Sequence, residues 1–190
     1  MSARWILAVF ALLGCQAPQP ERMASDTPFW WGVATSPYQV EDPGEGDYTT
    51  DWDLFYDRGR LPDARGEGVG SWTQMERDRN ALTELGVSHY RFGIEWARVE
   101  PEPGRIDYDA LAQYAGHAKA LREAGIEPVV CLWHFTFPDW VTDLDAPDQH
   151  GWQHPQTEVR WGPYVAAVAD ALGPYVQFWA PQNEPNAQAM

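Results

Sequence analysis

Asn183 and Glu184 stand together near the end of the chain, in the run Trp179-Ala180-Pro181-Gln182-Asn183-Glu184-Pro185-Asn186. Three earlier runs close in the same manner, with a polar or charged residue set among aromatics. They are Ala34-Thr35-Ser36-Pro37-Tyr38-Gln39, Tyr90-Arg91-Phe92-Gly93-Ile94-Glu95-Trp96 and Leu132-Trp133-His134-Phe135-Thr136. Amides and an imidazole are the hydrogen-bonding groups that suit a neutral, hydroxylated ligand, and aromatic rings supply its walls. Chemistry on such a ligand also needs carboxyl groups that can give and take a proton. Taken singly these residues have plainer readings. His134 alone reads as a structural histidine, and Glu184 alone as a loop carboxylate capping a turn before Pro185.

The elements that must position these residues are legible as an alternation of short apolar runs and helix-like stretches. Phe29 to Thr35 reads as a first strand, and His89 to Ile94, Glu127 to Leu132 and Val176 to Ala180 as three more. Between them lie helical patterns over Trp72 to Leu85, Asp109 to Ala124 and Glu158 to Leu172. Met75, Leu82 and Leu85 are expected on one face of the first. Leu111, Tyr114, Ala115, Ala118 and Leu121 are expected on one face of the second. Gly86, Gly125 and Gly173-Pro174 read as the stops. Buried strands alternating with helices predict parallel βαβ units, which both doubly wound sheets and (β/α)₈ barrels contain. No Gly-x-Gly-x-x-Gly follows the first strand, which weighs against a dinucleotide fold. Four strand–helix units make half a barrel, the fourth without its helix, whereas whole barrels take about 250 residues. The long segments Val40 to Ser71 and His134 to Gln156 follow strands at their C-terminal ends, the rim where barrel enzymes build their sites.

Composition sets outer limits. The chain has 190 residues, 44% of them hydrophobic, enough for one domain with a sizeable core. Eleven are Trp, which suits sugar faces but is more simply explained as core or cover. With 13 basic against 28 acidic residues the net charge is −15, so neither nucleic acid nor a polybasic membrane contact is expected. Asp51, Asp53 and Asp57 lack a full ligand set and read as a solvated acidic loop. No Cys/His cluster has metal-ligand spacing, and no cofactor is implied.

The N-terminus reads as a targeting segment. Arg4 precedes an apolar run from Trp5 to Leu13, too short to span a bilayer. The run closes Leu12-Leu13-Gly14-Cys15, which resembles the lipobox of bacterial lipoproteins. By that resemblance residues 1–14 are a signal peptide, Cys15 is lipidated, and 15–28 form a flexible tether to an exported, membrane-anchored domain over 29–190. An ordinary cleaved signal on a secreted or periplasmic protein, or an accidental apolar start, is the alternative. Cys131, in the apolar run before Trp133, reads as a buried structural thiol.

Taken in order, the four runs resemble glycoside hydrolase family 1. Phe29 to Gln39 is similar to that family's opening, Tyr90 to Pro101 to its second-strand motif, and Leu132 to Thr136 and Asn183-Glu184-Pro185 to the motifs that follow. The resemblance implies the α/β fold of the N-terminal half of a (β/α)₈ TIM barrel, and retaining hydrolysis of β-glycosides, with β-glucosides foremost. It makes Glu184 the general acid/base, which protonates the departing oxygen and then deprotonates the attacking water. Such a carboxyl must be held protonated at rest, and a neighbouring carboxylate does that. The resemblance also places Asn183 on the sugar 2-hydroxyl, Gln39 and His134 on other hydroxyls, and Arg91 beside the nucleophile; Trp133 reads either as pocket lining or as a core residue without a function. Glu95 is read as structural.

Two departures stand out. Pro181 occupies a position where the family often has Thr, and it lacks the N–H for a ladder bond. The family's Glu-Asn-Gly nucleophile motif does not occur in these 190 residues. Retention needs two carboxyl groups about 5–5.5 Å apart, so the expectation is a truncated glycosidase. The alternative is an inactive remnant or weak sugar binder, self-associating through exposed barrel edges. A related retaining glycanase fits Asn-Glu-Pro but not the other three motifs.

Overall fold

A computed structural model describes residues 29–44, 46, 48–146 and 149–188. The signal-peptide and tether segments, with Cys15, lie outside the described residues.

Among the described residues four strands and seven helices follow one another: β1 (Gly32–Ala34), α1 (Pro37–Val40), α2 (Asp51–Asp57), α3 (Met75–Leu85), β2 (His89–Gly93), α4 (Trp96–Val99), α5 (Tyr108–Glu123), β3 (Glu127–Cys131), α6 (Pro155–Leu172), β4 (Phe178–Ala180) and α7 (Pro185–Gln188). Two 3₁₀ turns, Asp139–Val141 and Gly151–Gln153, lie between β3 and α6. All strand pairs are parallel and the sheet order is β1-β2-β3-β4. Every strand thus neighbours the next in sequence. A doubly wound sheet reverses its order at a switch point, whereas a barrel winds on in one direction, so the order itself selects four units of a (β/α)₈ barrel.

Register assigns the two faces. Ala34, Arg91, Val129 and Phe178 lie in one row across the sheet, and Val33, Tyr90 and Pro128 in the next. Successive rows face opposite sides. Tyr90, Phe92 and Val130 are buried in the hydrophobic core against Tyr114, Ala118 and Leu121 of α5. That face is the outer, helix-covered one. Arg91 therefore faces inward, away from the helices.

The helices are closed by the groups the sequence supplies. Asp107 Oδ1 accepts from the Ala110 N–H at 2.9 Å to start α5, and Gly125, at φ 79°, lies just past its end. Gly86, at φ 68°, caps α3. Leu82 is buried on α3 and Met75 packs beside the core, but Leu85 is 70% exposed. At about 100° per residue Leu85 lies about 60° from Leu82, at the edge of the stripe, and it is the last residue of the helix before Gly86. On α5, His117 joins the buried face and Ala115 is only partly covered. Strand ends also fall short of the apolar runs: β1 begins at Gly32 rather than Phe29, and β4 at Phe178 rather than Val176.

The acidic stretch is not a solvated loop. Asp51 and Asp53 open α2, and Thr50 with Asp53 forms a capping box. Asp51 is 1% exposed and accepts from the Phe137 N–H at 2.9 Å, with His150 Nε2 at 3.1 Å from its other oxygen. This carboxylate ties the segment after β1 to the segment after β3, so the two long rim segments brace each other. Asp57 alone of the three is exposed.

Candidate active site

Each strand end delivers its side chain by a local device. After β1 the chain turns into α1 with Pro37 packed on β2: a Cβ at Gly93 lies 2.6 Å from Pro37 Cδ, so that position has room only for glycine. Gln39 is carried on this turn, exposed, its Oε1 accepting from the Ser36 hydroxyl at 2.6 Å. Arg91 projects from the inner face of β2, and its Nη2 donates to Asn183 Oδ1 at 2.8 Å. This bond reaches over β3 and joins the second strand to the end of the fourth. Asn183 is buried, and its N–H donates to the Trp133 carbonyl at 2.9 Å.

Pro181 costs no bond between β3 and β4. The Leu132 N–H donates to the Ala180 carbonyl, so the Ala180 peptide edge faces β3. The alternation then turns the missing N–H of Pro181 away from β3. The Leu132 carbonyl takes the Tyr164 hydroxyl at 2.8 Å.

Among the described residues, two non-glycine residues have positive φ: Phe135 at 72° and Glu184 at 45°. Both follow strands at the C-terminal rim. A left-handed conformation costs a side-chain-bearing residue about 1–2 kcal/mol, and such strain concentrates where geometry matters for function. Glu184 is exposed on the open side, one residue after the clamped Asn183 and immediately before α7.

His134 is partly buried, and its Nδ1 is buried without a partner. Burial, and then the Arg91 guanidinium, hold its pKa down at about 4, against an ordinary 6.5. The ring is therefore neutral at pH 7 and offers one donor and one acceptor, as a sugar hydroxyl requires. Arg91 Nε is likewise buried and unpartnered. Among the described residues no carboxylate pairs with Arg91, and no group of three His, Cys, Asp or Glu could hold a metal ion.

Of the two readings of Trp133, pocket lining and core, its burial corrects the first and fits the second. It is 1% exposed and packs against Phe135, Phe137 and Trp152, so it presents no wall to a ligand. The aromatic ring at this rim belongs to Phe135, which packs edge-on against His134 with centroids 5.4 Å apart. Its left-handed backbone leaves no mark in residue type. Cys131 is fully buried, and its thiol donates to the Trp133 carbonyl at 3.2 Å.

Four strand ends thus place two amides, a guanidinium, a neutral imidazole and a free carboxyl at one end of a parallel sheet. A sequence profile of glycosyl hydrolase family 1 matches residues 22–190. The chain belongs to glycosyl hydrolase family 1. It is 33% identical over 192 residues to coniferin beta-glucosidase of Pinus contorta, covering 96% of this chain and 36% of that protein. It is 30% identical over 170 residues to beta-glucosidase A of Acetivibrio thermocellus, covering 85% of this chain and 36% of that one. The solved beta-glycosidase from Pyrococcus horikoshii superposes with a TM-score of 0.74 at 33% identity, over 85% of this chain and 36% of its own. The chain spans about a third of the length of these relatives.

Proposed function

We propose that this chain carries the acid/base portion of a retaining β-glycosidase site, acting on β-glucosides or closely related β-glycosides. Glu184 is the acid/base; Asn183, Gln39 and His134 hold sugar hydroxyls; Arg91 fixes Asn183 and faces the place of the second carboxyl. The observation that carries the reading is the pairing of a clamped Asn183 with a strained, exposed Glu184. The clamp fixes where a sugar 2-hydroxyl binds, and the strain fixes where the carboxyl stands relative to it. The uncompensated guanidinium of Arg91 supports a carboxylate partner from outside the described residues.

The test is hydrolysis of an alkyl β-glucoside, whose leaving group needs a proton, by the purified chain beside Glu184→Gln. Turnover removed by the substitution supports the assignment and requires a second carboxyl from elsewhere in the chain or from a partner copy. No turnover by either form assigns hydrolysis to an assembly that brings the nucleophile. Equal turnover by both forms contradicts the role of Glu184.

Two further proposals concern partners. Trp30, two residues before β1, and Phe178, which opens β4, are 44% and 37% exposed with their rings 4.6 Å apart. Unpaired strand edges beside such rings favour self-association. Size-exclusion chromatography is expected to show a species larger than a monomer, and a stable compact monomer contradicts it. The lipobox-like Leu12-Leu13-Gly14-Cys15 supports export and a lipid anchor on Cys15. Fatty-acid labelling of the expressed protein, lost in Cys15→Ala, is the expected result; equal labelling of both forms refutes it.

A further inference from the structure

The turn that carries His134 is gripped from below by a carboxyl that touches no part of the open face. Glu95, 1% exposed, follows β2, and both of its oxygens lie within reach of the Thr136 hydroxyl, at 3.1 and 2.9 Å. Thr136 is itself buried, and it lies one residue after Phe135 with its φ of 72°. Glu95 is anchored in turn. Its N–H donates to the Tyr114 hydroxyl at 3.2 Å, that hydroxyl donates to Glu41 at 2.9 Å, and Arg98 Nε donates to Glu41 at 3.2 Å. The charged groups around Glu95 are Glu41, Arg65 and Arg98, and Arg91 is the charged group acting on His134.

A left-handed phenylalanine persists only where its surroundings over-determine it. On one side of Phe135 the chain leaves β3 through His134, and on the other Thr136 is tied into the buried network. Releasing the hydroxyl frees Phe135 to return to ordinary backbone, and the His134 ring, packed edge-on against Phe135, turns with it.

We propose that Glu95 is a positioning residue: through the Thr136 hydroxyl it holds the strained turn at Phe135 and so aims the His134 ring into the open face of the sheet. Its bearing on sugar binding rests on the reading of His134 proposed above. The test contains no sugar, so the two can fail separately.

The experiment is long-range ¹H–¹⁵N NMR of the histidine rings in the full chain, titrated with pH, for wild type, Thr136→Val, Glu95→Ala and Glu95→Gln. His117 is the internal control. It is buried on α5, away from this turn, and burial likewise holds it at about 4. In wild type His134 stays neutral to near pH 4 and shows one tautomer. In Thr136→Val and Glu95→Ala its midpoint moves toward the ordinary 6.5 and the tautomers mix, while His117 is unchanged. Glu95→Gln restores the wild-type signature, because the amide oxygen still accepts from Thr136. An unchanged His134 in Thr136→Val overturns the proposal. So does a joint shift of His117 and His134, which marks general loosening rather than aim.

Discussion

Glu184→Gln is expected to lower kcat/KM on an alkyl β-glucoside by roughly 10²–10⁴-fold in any assembly where this site turns over. An alkoxide is a poor leaving group, so its departure needs a proton in the transition state, and a glutamine has none to give. The loss should shrink on a nitrophenyl glucoside, whose leaving group departs without protonation. The contrast between the two substrates is the signature of a general acid, which general damage to the fold does not produce. A uniform loss on both substrates would mean that Glu184 binds or braces rather than transfers a proton. Comparison of the two kcat/KM ratios is the measurement that decides.

The second large effect is structural. Trp96→Ala should remove a large share of the stability of the described domain. Trp96 is 1% exposed, stacks on Tyr164 with centroids 5.1 Å apart, and meets Trp140 and Trp161 edge-on. Its indole N–H donates to Glu100 at 3.0 Å, and Glu100 is fully buried. Truncating such a residue costs about 3–5 kcal/mol in lost burial and cavity, and the carboxylate left short of a donor adds to it. Small domains hold only about 5–15 kcal/mol in all. Urea unfolding followed by circular dichroism reads the change. Trp96→Phe, which keeps a ring in the stack, should lose distinctly less. A cost below about 1 kcal/mol for Trp96→Ala would show that the cluster is not what joins β2 to α6.

The fold was legible where local chemistry and pattern agree. Gly86 and Gly125 stop helices because only glycine enters the left-handed region without penalty, and both are visible as glycines in sequence. The stripe of α5 was visible as apolar spacing. What the pattern hid was α2. Asp51 and Asp53 looked like solvated charge, although Thr50 with Asp53 three residues on is itself a capping signature. Burial of Asp51 depends on Phe137 and His150, which lie far away in the chain.

The site divides in the same way. Motif order brought Gln39, Arg91, His134, Asn183 and Glu184 into view, and the parallel register carries them to one end of the sheet. The bond from Arg91 to Asn183 spans 92 positions and has no local signal. Trp133 keeps two readings in sequence because residue type alone does not tell a core indole from a sugar platform. Alternation from Cys131 does not settle it, since the strand ends there and Phe135 bends the chain. The strained φ values at Phe135 and Glu184 could come only from the folded chain.

On the proposed function these strand ends form one surface for a β-glycoside, which is checked by titrating methyl β-glucoside into the isotope-labelled chain and following the Gln39 and Asn183 side-chain amides and the His134 ring. All three should shift together along one saturation curve, with a dissociation constant on the order of millimolar, weak because the described face is open on one side. Asn183→Ala should abolish the shifts. Shifts confined to other surfaces, or none up to the solubility of the sugar, would contradict the account.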